Sequence, residues 1–399
     1  MTPDKLPVLT LRRNEERRLA AGHLWVYSNE VDTRKTPLSG FEPGSLAVIQ
    51  SSAGKTLGSG FVNPHSLICA RLLTRRPRTQ IDAGFFERRL RSALQLRDSL
   101  FDRSCYRLVY GESDGLPGLV VDRYGDVLVV QITTAGMEGV RDVLLAVLDK
   151  LLSPTAILLR NDTAMRALEG LSQEVEVIGE LPESVFVEEG GVRFEVPLSA
   201  GQKTGWFYDQ RSNRAAMHKY VVGKRVLDVF SYIGAWGLQA AAAGASEVCC
   251  VDAAPLARAW VEKNAATNGL EARISHRHGD AFDVLKALRE ESQRYDVVIV
   301  DPPAFIKRRK EIKAGEQGYA RINRLALQVL AADGILISCS CSMHLAESRL
   351  QQIVYQSARQ QGRQLQLLER GFQCMDHPVH PAIAETAYLK ALFCRVPAT

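Results

Sequence analysis

At 399 residues the chain is too long for one small module and long enough for two or three domains, each with its own core. Apolar residues at 46% and charged residues at 24% are ordinary for a globular chain and exclude wholesale disorder, collagen and a coiled coil. The net charge of +5 is unevenly placed: residues 1–100 hold 16 Lys and Arg against 9 Asp and Glu, and the rest hold 34 against 36. All the excess positive charge lies in the front quarter, which points to a polyanionic partner, with a solvated surface as the competing explanation.

The apolar runs are short, Val297–Val300 between Asp296 and Asp301 being typical, and fall far below the roughly 20 residues of a membrane span. The N-terminal residues Met1 to Arg13 have charges but no apolar stretch ending in a small-residue cleavage site, so no secretory signal is expected and the protein is expected in the cytoplasm. The eight cysteines form no C-x-x-C pair and stand with no His cluster at metal-binding spacing. Most are therefore read as buried thiols, and no metal site is expected.

In chain order, residues 1–76 read as a small β-rich module. Leu46–Gln50 and Leu67–Leu72 are strand-like, Pro43-Gly44 and Asn63-Pro64 punctuate them, and one short helix is expected over Glu15–Ala21, ended by Gly22. Residues 77–197 read as a central α+β unit. It opens on a basic amphipathic run, Ile81 to Phe101, continues with strands Leu119–Asp122 and Val127–Ile132 around Tyr124-Gly125-Asp126, a helix near Val140–Leu152, and ends in a hairpin around Gly190-Gly191. From residue 198 to 399 strands and helices alternate. Strands are expected at Arg225–Val229, Glu247–Val251, Asp296–Val300 and Gly334–Ser338, and helices near 235–243, 255–268, 281–291, 317–332 and 344–361. Repeated βα units predict an α/β, doubly wound, mainly parallel sheet.

Ligands of such a sheet bind beyond the C-terminal ends of its strands. The first strand ends in Asp228-Val-Phe230-Ser-Tyr232-Ile-Gly234, where Gly234 permits a tight turn close to a ligand, although this is not a G-x-G-x-x-G loop. The second ends in Asp252, 18 residues after Gly234, an acid suited to the two hydroxyls of a ribose. Asp280, followed by Ala281 and Phe282, is placed to accept an adenine amino hydrogen. The fourth strand ends in Asp301-Pro302-Pro303-Ala-Phe305. Any one of these acids could be no more than a helix N-cap. The four in this order resemble a class I S-adenosylmethionine-dependent methyltransferase over roughly residues 201–399.

Asp-Pro-Pro resembles the motif with which methyltransferases of amino groups and bases grip their target. After the fifth strand comes Ser338-Cys339-Ser340-Cys341-Ser342-Met343. A thiolate here has a specific use: adding to carbon 6 of a pyrimidine makes carbon 5 nucleophilic enough to attack a methyl sulfonium, and loss of the carbon-5 proton then expels the thiolate. Ring-nitrogen methylation needs no such step. The competing reading makes both cysteines small residues of a buried strand end.

Gly201-Gln-Lys-Thr-Gly-Trp-Phe-Tyr-Asp209-Gln-Arg211, Asp228-x-Phe230-x-Tyr232-x-Gly234, Asp301-Pro-Pro-x-Phe305 and Ser340-Cys341-Ser342 occur in sequence behind Gly22-His-Leu-Trp-Val-Tyr-Ser28 and Gly111-Glu-Ser-Asp-Gly-Leu-Pro-Gly-Leu119. Together they are similar to the bacterial 23S ribosomal RNA large-subunit methyltransferase I family, which makes 5-methylcytidine, and the similarity runs nearly end to end. The resemblance implies a PUA RNA-binding domain in front, a small α+β domain, and a Rossmann-like methyltransferase domain using S-adenosylmethionine. It implies 23S ribosomal RNA or a precursor of the large subunit as partner; the oligomeric state, monomer or homodimer, stays open. It maps the nucleophile to Cys341, with Cys339 as runner-up because Ser338-Cys339-Ser340 has the same pattern.

On this reading Asp228, Phe230, Tyr232, Gly234, Asp252, Asp280 and Ala281 hold the donor. Asp301 hydrogen-bonds the cytosine edge, Pro302 and Pro303 stiffen the loop, and Phe305 stacks on a flipped base or serves as a core aromatic. Lys307, Arg308 and the following basic residues to Lys313 contact phosphates, and Lys203 positions donor or target strand. The basic block Arg71–Arg91 is read as holding folded RNA. The base for the carbon-5 proton stays unassigned. Methylation of guanine or uracil, or an RNA-binding assembly factor, are the alternatives.

Overall fold

Short strands dominate the front of the chain, as its turn residues predict. In the computed structural model, which describes residues 6–76, 79–198 and 204–398, β1 (Val8–Thr10), α1 (Glu16–Ala20), β2 (Trp25–Tyr27), β3 (Ser45–Gln50), β4 (Thr56–Val62) and β5 (Ile68–Thr74) come first. The five strands form one sheet in the order β1-β3-β4-β5-β2, around a core of Leu9, Leu11, Val26, Ile49, Val62 and Leu72.

The basic amphipathic run becomes α2 (Ala83–Leu100), capped by the Asp82 side chain, which accepts from the Phe85 N–H at 2.9 Å, and it buries Phe85, Phe86, Leu90 and Ala93. There follow β6 (Cys105–Tyr110), β7 (Leu119–Tyr124), β8 (Val127–Ile132), α3 (Ala135–Glu138), α4 (Arg141–Leu152), β9 (Ala156–Arg160), α5 (Ala164–Leu168) and β10 (Val175–Gly179). A second five-stranded sheet has the order β10-β9-β8-β7-β6. The expected pairing of β7 with β8 is present, with Tyr124 opposite Val127. All five residues of β9 are buried, which leaves its sequence without the alternation that marks a half-exposed strand.

β11 (Val185–Glu189) and β12 (Val192–Val196) form the expected hairpin. After it come α6 (Arg211–Met217), β13 (Arg225–Val229), α7 (Ala235–Ala242), β14 (Glu247–Asp252), α8 (Ala257–Thr267), β15 (Ile274–His278), α9 (Ala281–Glu290), β16 (Tyr295–Val300), α10 (Ile312–Val329), β17 (Leu330–Ser340), α11 (Glu347–Arg359), β18 (Gln366–Phe372) and β19 (Lys390–Val396). The seven strands order as β15-β14-β13-β16-β17-β19-β18. The first five run parallel and the last two pair antiparallel, so the sheet is mainly parallel and doubly wound as expected. Val226, Leu227, Val229 and Val297–Val300 are inaccessible, since helices cover both faces of a parallel sheet.

The chain divides into two compact units. One comprises Met1–Val185, Pro197–Trp206 and Met375–Thr386 and contains the two five-stranded sheets. The other comprises Phe186–Val196, Phe207–Cys374 and Ala387–Thr399 and contains the seven-stranded sheet. The hairpin from Phe186 on belongs to the second unit for a physical reason: buried Glu189 of β11 pairs with Arg214 at 2.5 Å and accepts from Gln239 at 2.9 Å, and Glu195 of β12 pairs with Lys263 at 2.7 Å. No helix among the described residues is long and apolar enough to cross a membrane.

Candidate active site

The turn after β13 is built from unusual backbone. Phe230, Tyr232 and Gly234 all adopt left-handed conformations, at φ 69°, 52° and 85°. Two of them carry side chains, and each such residue costs on the order of 1 kcal/mol unless its surroundings hold it. Here the hold comes from the neighbouring strand. The Phe230 and Ser231 N–H groups both donate to the Val251 carbonyl, at 2.9 and 3.0 Å, and the Tyr232 N–H donates to Asp252 Oδ2 at 2.8 Å. Gly234 starts α7, and a Cβ there would stand 2.2 Å from Leu238 Cδ1. The result is a shallow, rigid turn at the C-terminal edge of the sheet.

The acids of this edge lie at different depths. Asp228 is wholly inaccessible, in β13 beneath the turn; its Oδ2 accepts from the Gly237 N–H at 2.9 Å, and its Oδ1 has no hydrogen-bond partner among the described residues. Burial, aided by the carboxylates of Asp301 and Asp252, pushes its carboxyl up to about 7. Asp252 is half-buried, with Oδ2 accepting from Tyr232 and Oδ1 from the Ala254 N–H at 2.7 Å. Asp280 is exposed and caps α9, its Oδ1 accepting from the N–H groups of Phe282 and Asp283 at 2.9 and 3.4 Å. Ala281, next to it, is buried. Half-buried Phe230, Phe282 and Phe305 gather at the same edge, the Phe305 ring centroid lying 6.4 Å from that of Phe230 and 6.2 Å from that of Phe282.

At the end of β16 the Asp301 carboxylate is gripped from two sides. Oδ1 accepts from Gln210 Nε2 at 2.9 Å and Oδ2 from Trp236 Nε1 at 3.1 Å. Burial pushes this carboxyl up to about 6 against the Trp236 hydrogen bond, and the nearby Asp209 carboxylate adds to the rise. Pro302 is buried and Pro303 exposed. The loop is seated on α10, where glycine is required: a Cβ on Gly315 would stand 2.2 Å from Ile306 Cγ1 and 2.8 Å from the Phe305 carbonyl oxygen. The Phe305 ring also lies 4.9 Å from that of Tyr319, so one side of it belongs to the core.

The two cysteines at the end of β17 separate clearly. Cys339 is inaccessible within the strand, and burial drives its thiol well above the ordinary range. Cys341 is half-buried, just past the strand's last residue, with Sγ 3.8 Å from the Pro302 carbonyl oxygen. The serines on either side of it are both inaccessible and turned toward one hydroxyl. Ser340 Oγ donates to the Tyr319 hydroxyl at 2.9 Å, that hydroxyl and Ser342 Oγ are 2.8 Å apart, and the Ile306 N–H donates to Ser342 Oγ at 3.1 Å. With Ser340 and Ser342 locked inward, the residue between them keeps partial access to the surface.

Lys307, Arg308, Arg309 and Lys310 are all exposed, and among the described residues none forms an ion pair. The Glu311 carboxylate accepts from the N–H groups of Lys307 and Arg308, both at 3.2 Å, so α10 starts at Ile312 rather than near the expected residue 317 and fixes the basic rim beside Phe305. Lys203 lies outside the described residues. Sequence reasoning assigned no role to Gln210, Trp236, Tyr319 or Lys390. Gln210 stands inside the Gly201–Arg211 motif and Trp236 two residues past Gly234, and a lysine within the run Tyr388–Cys394 is a signal for the last; nothing in sequence marks Tyr319.

Comparison with known proteins agrees with this edge. A model of S-adenosylmethionine-dependent methyltransferases matches residues 162–395, and a PUA-like domain model matches residues 9–75. The chain is 40% identical over 394 residues to a ribosomal RNA large subunit methyltransferase I of Aeromonas hydrophila, covering 96% of this chain and 98% of the relative. It is 37% identical over 394 residues to the protein of that name from Escherichia coli O127:H6, covering 97% and 99%. A solved structure named as a putative SAM-dependent methyltransferase from Streptococcus mutans shares the fold with a TM-score of 0.82 at 22% identity, over 98% of this chain and 100% of that one.

Proposed function

Because this chain belongs to the ribosomal RNA large subunit methyltransferase I family, we propose that it methylates carbon 5 of a cytidine in 23S ribosomal RNA, in the cytoplasm, with S-adenosylmethionine as donor and Cys341 as nucleophile. The observation that carries this reading is the Ser340-Cys341-Ser342 turn, which presents a thiol beside Asp301-Pro302-Pro303 while both flanking side chains are locked inward. Methylation of a ring nitrogen or an exocyclic amine has no use for such a thiol.

The residues of the sheet edge fit the donor. Asp252 and Asp280 keep carboxylate lone pairs beyond those engaged by backbone amides, suited to ribose hydroxyls and an adenine amino group. Half-buried Phe230 and Phe282 offer apolar cover, and Tyr232 and Gly234 shape the turn. Asp228 acts from below, holding the start of α7 through the Gly237 amide. Bound there, S-adenosylmethionine supplies a methyl group on a sulfonium, the electrophile for carbon 5.

The chain's own residues do the rest. The target base leaves its stack to reach a pocket of this kind, and Phe305 offers it the ring face not packed on the core. Asp301, fixed by Gln210 and Trp236, accepts from the cytosine amino group. The Cys341 thiolate forms a bond to carbon 6, and the pair of the 5,6 double bond moves to carbon 5. Once carbon 5 carries the methyl group, loss of its proton returns a pair to the 5,6 bond and the carbon–sulfur bond breaks, restoring the thiolate. Lys307 and Arg308 bind phosphates of the target strand, and the PUA-like module holds folded RNA by shape and backbone. Incubation with large-subunit RNA and labelled donor, digestion to nucleosides and mass identification test this. 5-Methylcytidine is the expected product; a methylated guanosine or uridine overturns it.

A further inference from the structure

β19 opens on a lysine followed by the apolar run Ala391–Cys394. Lys390 lies opposite Ser340 in the antiparallel β17–β19 pair and is 6% exposed. Its Nζ donates to the Ser342 carbonyl oxygen at 2.7 Å, the residue next to Cys341. An ammonium has three N–H donors, and this is the one acceptor that Lys390 has among the described residues; it forms no ion pair there. A buried charge in that condition is costly unless a counter-charge stands near.

Two groups of opposite charge act on Lys390, Cys341 and Glu347. Glu347 already pairs with Arg370 at 3.0 Å. That leaves the Cys341 thiolate. The other titratable groups near the turn do not compete for the role: Tyr319 is hydrogen-bonded to both serines, Cys339 is inaccessible, and Asp301 is held by Gln210 and Trp236.

We propose that Lys390, as an ammonium, is the positioning residue of the Cys341 thiolate and its buried counter-ion. The S–H bond breaks with its pair left on sulfur, the proton leaves to solvent, and the ammonium beside the turn holds the negative charge that remains. Burial pushes the Lys390 ammonium down to about 8, so below that pH it carries the charge that stands by the turn. The hydrogen bond to the Ser342 carbonyl fixes the ammonium on the turn that carries the sulfur.

The proposal rests on Cys341 being the nucleophile for its catalytic meaning, but the ion pair can be read without turnover. The experiment follows iodoacetamide alkylation of Cys341 in the full-length protein by peptide mass spectrometry, from about pH 5.5 to 10. The wild-type rate should reach half its maximum about one unit below the free-thiol value, and Lys390→Met should raise that midpoint by about one to two units, cutting the thiolate at pH 7 about tenfold or more. Lys390→Arg, which restores the cation, should keep the midpoint within about half a unit of wild type. A wild-type midpoint at or above about 8.5 overturns the proposal without any variant, and so does a folded Lys390→Met with an unmoved midpoint. If the midpoint moves as expected but Cys341→Ala still yields methylated RNA, the ion pair stands and the nucleophile assignment falls.

Discussion

Two regions of this protein are rich in positive charge, and they use it differently. In the front quarter much of the excess is engaged inside the fold. Arg18 pairs with Glu30, Arg71 with Glu169 and Arg97 with Asp114; Arg75 donates to the carbonyls of Leu19 and His23, and Arg89 to those of Leu73 and Gly115. At the rim after β16 the four cations Lys307–Lys310 are exposed and free of ion pairs among the described residues. The front quarter keeps exposed cations too, among them Arg12, Arg13, Arg34, Lys35 and Lys55, but they are spread along the chain, whereas the rim sets four in one run. A guanidinium offers five donors in a rigid fork, so arginines in a small β-rich module often serve as internal crosslinks.

The largest effect is expected at the turn beside that rim. Cys341→Ala should lower methyl transfer at least about a thousandfold, the order of loss seen when a covalent nucleophile is removed. Cys339→Ala should leave kcat within a few-fold and lower stability by about 1 kcal/mol, since it only vacates core volume. Next in size, replacing Lys307, Arg308, Arg309 and Lys310 by Gln should weaken RNA binding and reduce the salt slope by about 1 for each phosphate no longer neutralised. Arg75→Met and Arg89→Met should lower the melting temperature and leave that slope unchanged. The reverse pattern in filter binding across a salt series would break the contrast between the two regions.

Much of the site was legible because strand ends are punctuated. Asp252 and Asp301 each end an apolar run, Asp280 follows a glycine directly before a helix, and all three stand at the edge of the seven-stranded sheet. What sequence hides is depth. Asp228 looks like its fellow acids, yet it lies wholly beneath the turn that the others adorn. Tyr319 meets Ser340 and Ser342 only because α10 packs against the end of β17, a relation that no local pattern encodes. The closing strands were also unread: β18 alternates through charges such as Glu369 and Arg370, and β19 is a short buried run whose periodicity cannot separate strand from helix. The arginine crosslinks of the front module escaped for the same reason, since their acceptors are mostly distant backbone carbonyls.

Two smaller effects sharpen the account of the turn. Tyr319→Phe removes the hydroxyl shared by the two serines; leaving the buried Ser340 O–H without its acceptor should cost about 1–3 kcal/mol in denaturant melts and lower kcat more than KM. The buried acids should write a pH dependence into the ligand-free protein. Asp228 titrates at about 7 and Asp301 at about 6 in the folded state, against about 3.9 when unfolded. Between those values the folded chain keeps protons that the unfolded chain has released, so stability falls as pH rises from about 4 to 7. Asp228→Asn should flatten the upper part of that fall, measured as the urea midpoint across the pH range.

The central claim is that Cys341 forms the bond to carbon 6. RNA carrying 5-fluorocytidine blocks loss of the carbon-5 substituent, so the adduct cannot resolve once the methyl group has been transferred. Incubated with this RNA and donor, the wild-type protein and Cys339→Ala should each give a denaturation-resistant complex whose peptide map places the nucleotide on Cys341, and Cys341→Ala should give none. A complex of equal yield from Cys341→Ala would contradict the account.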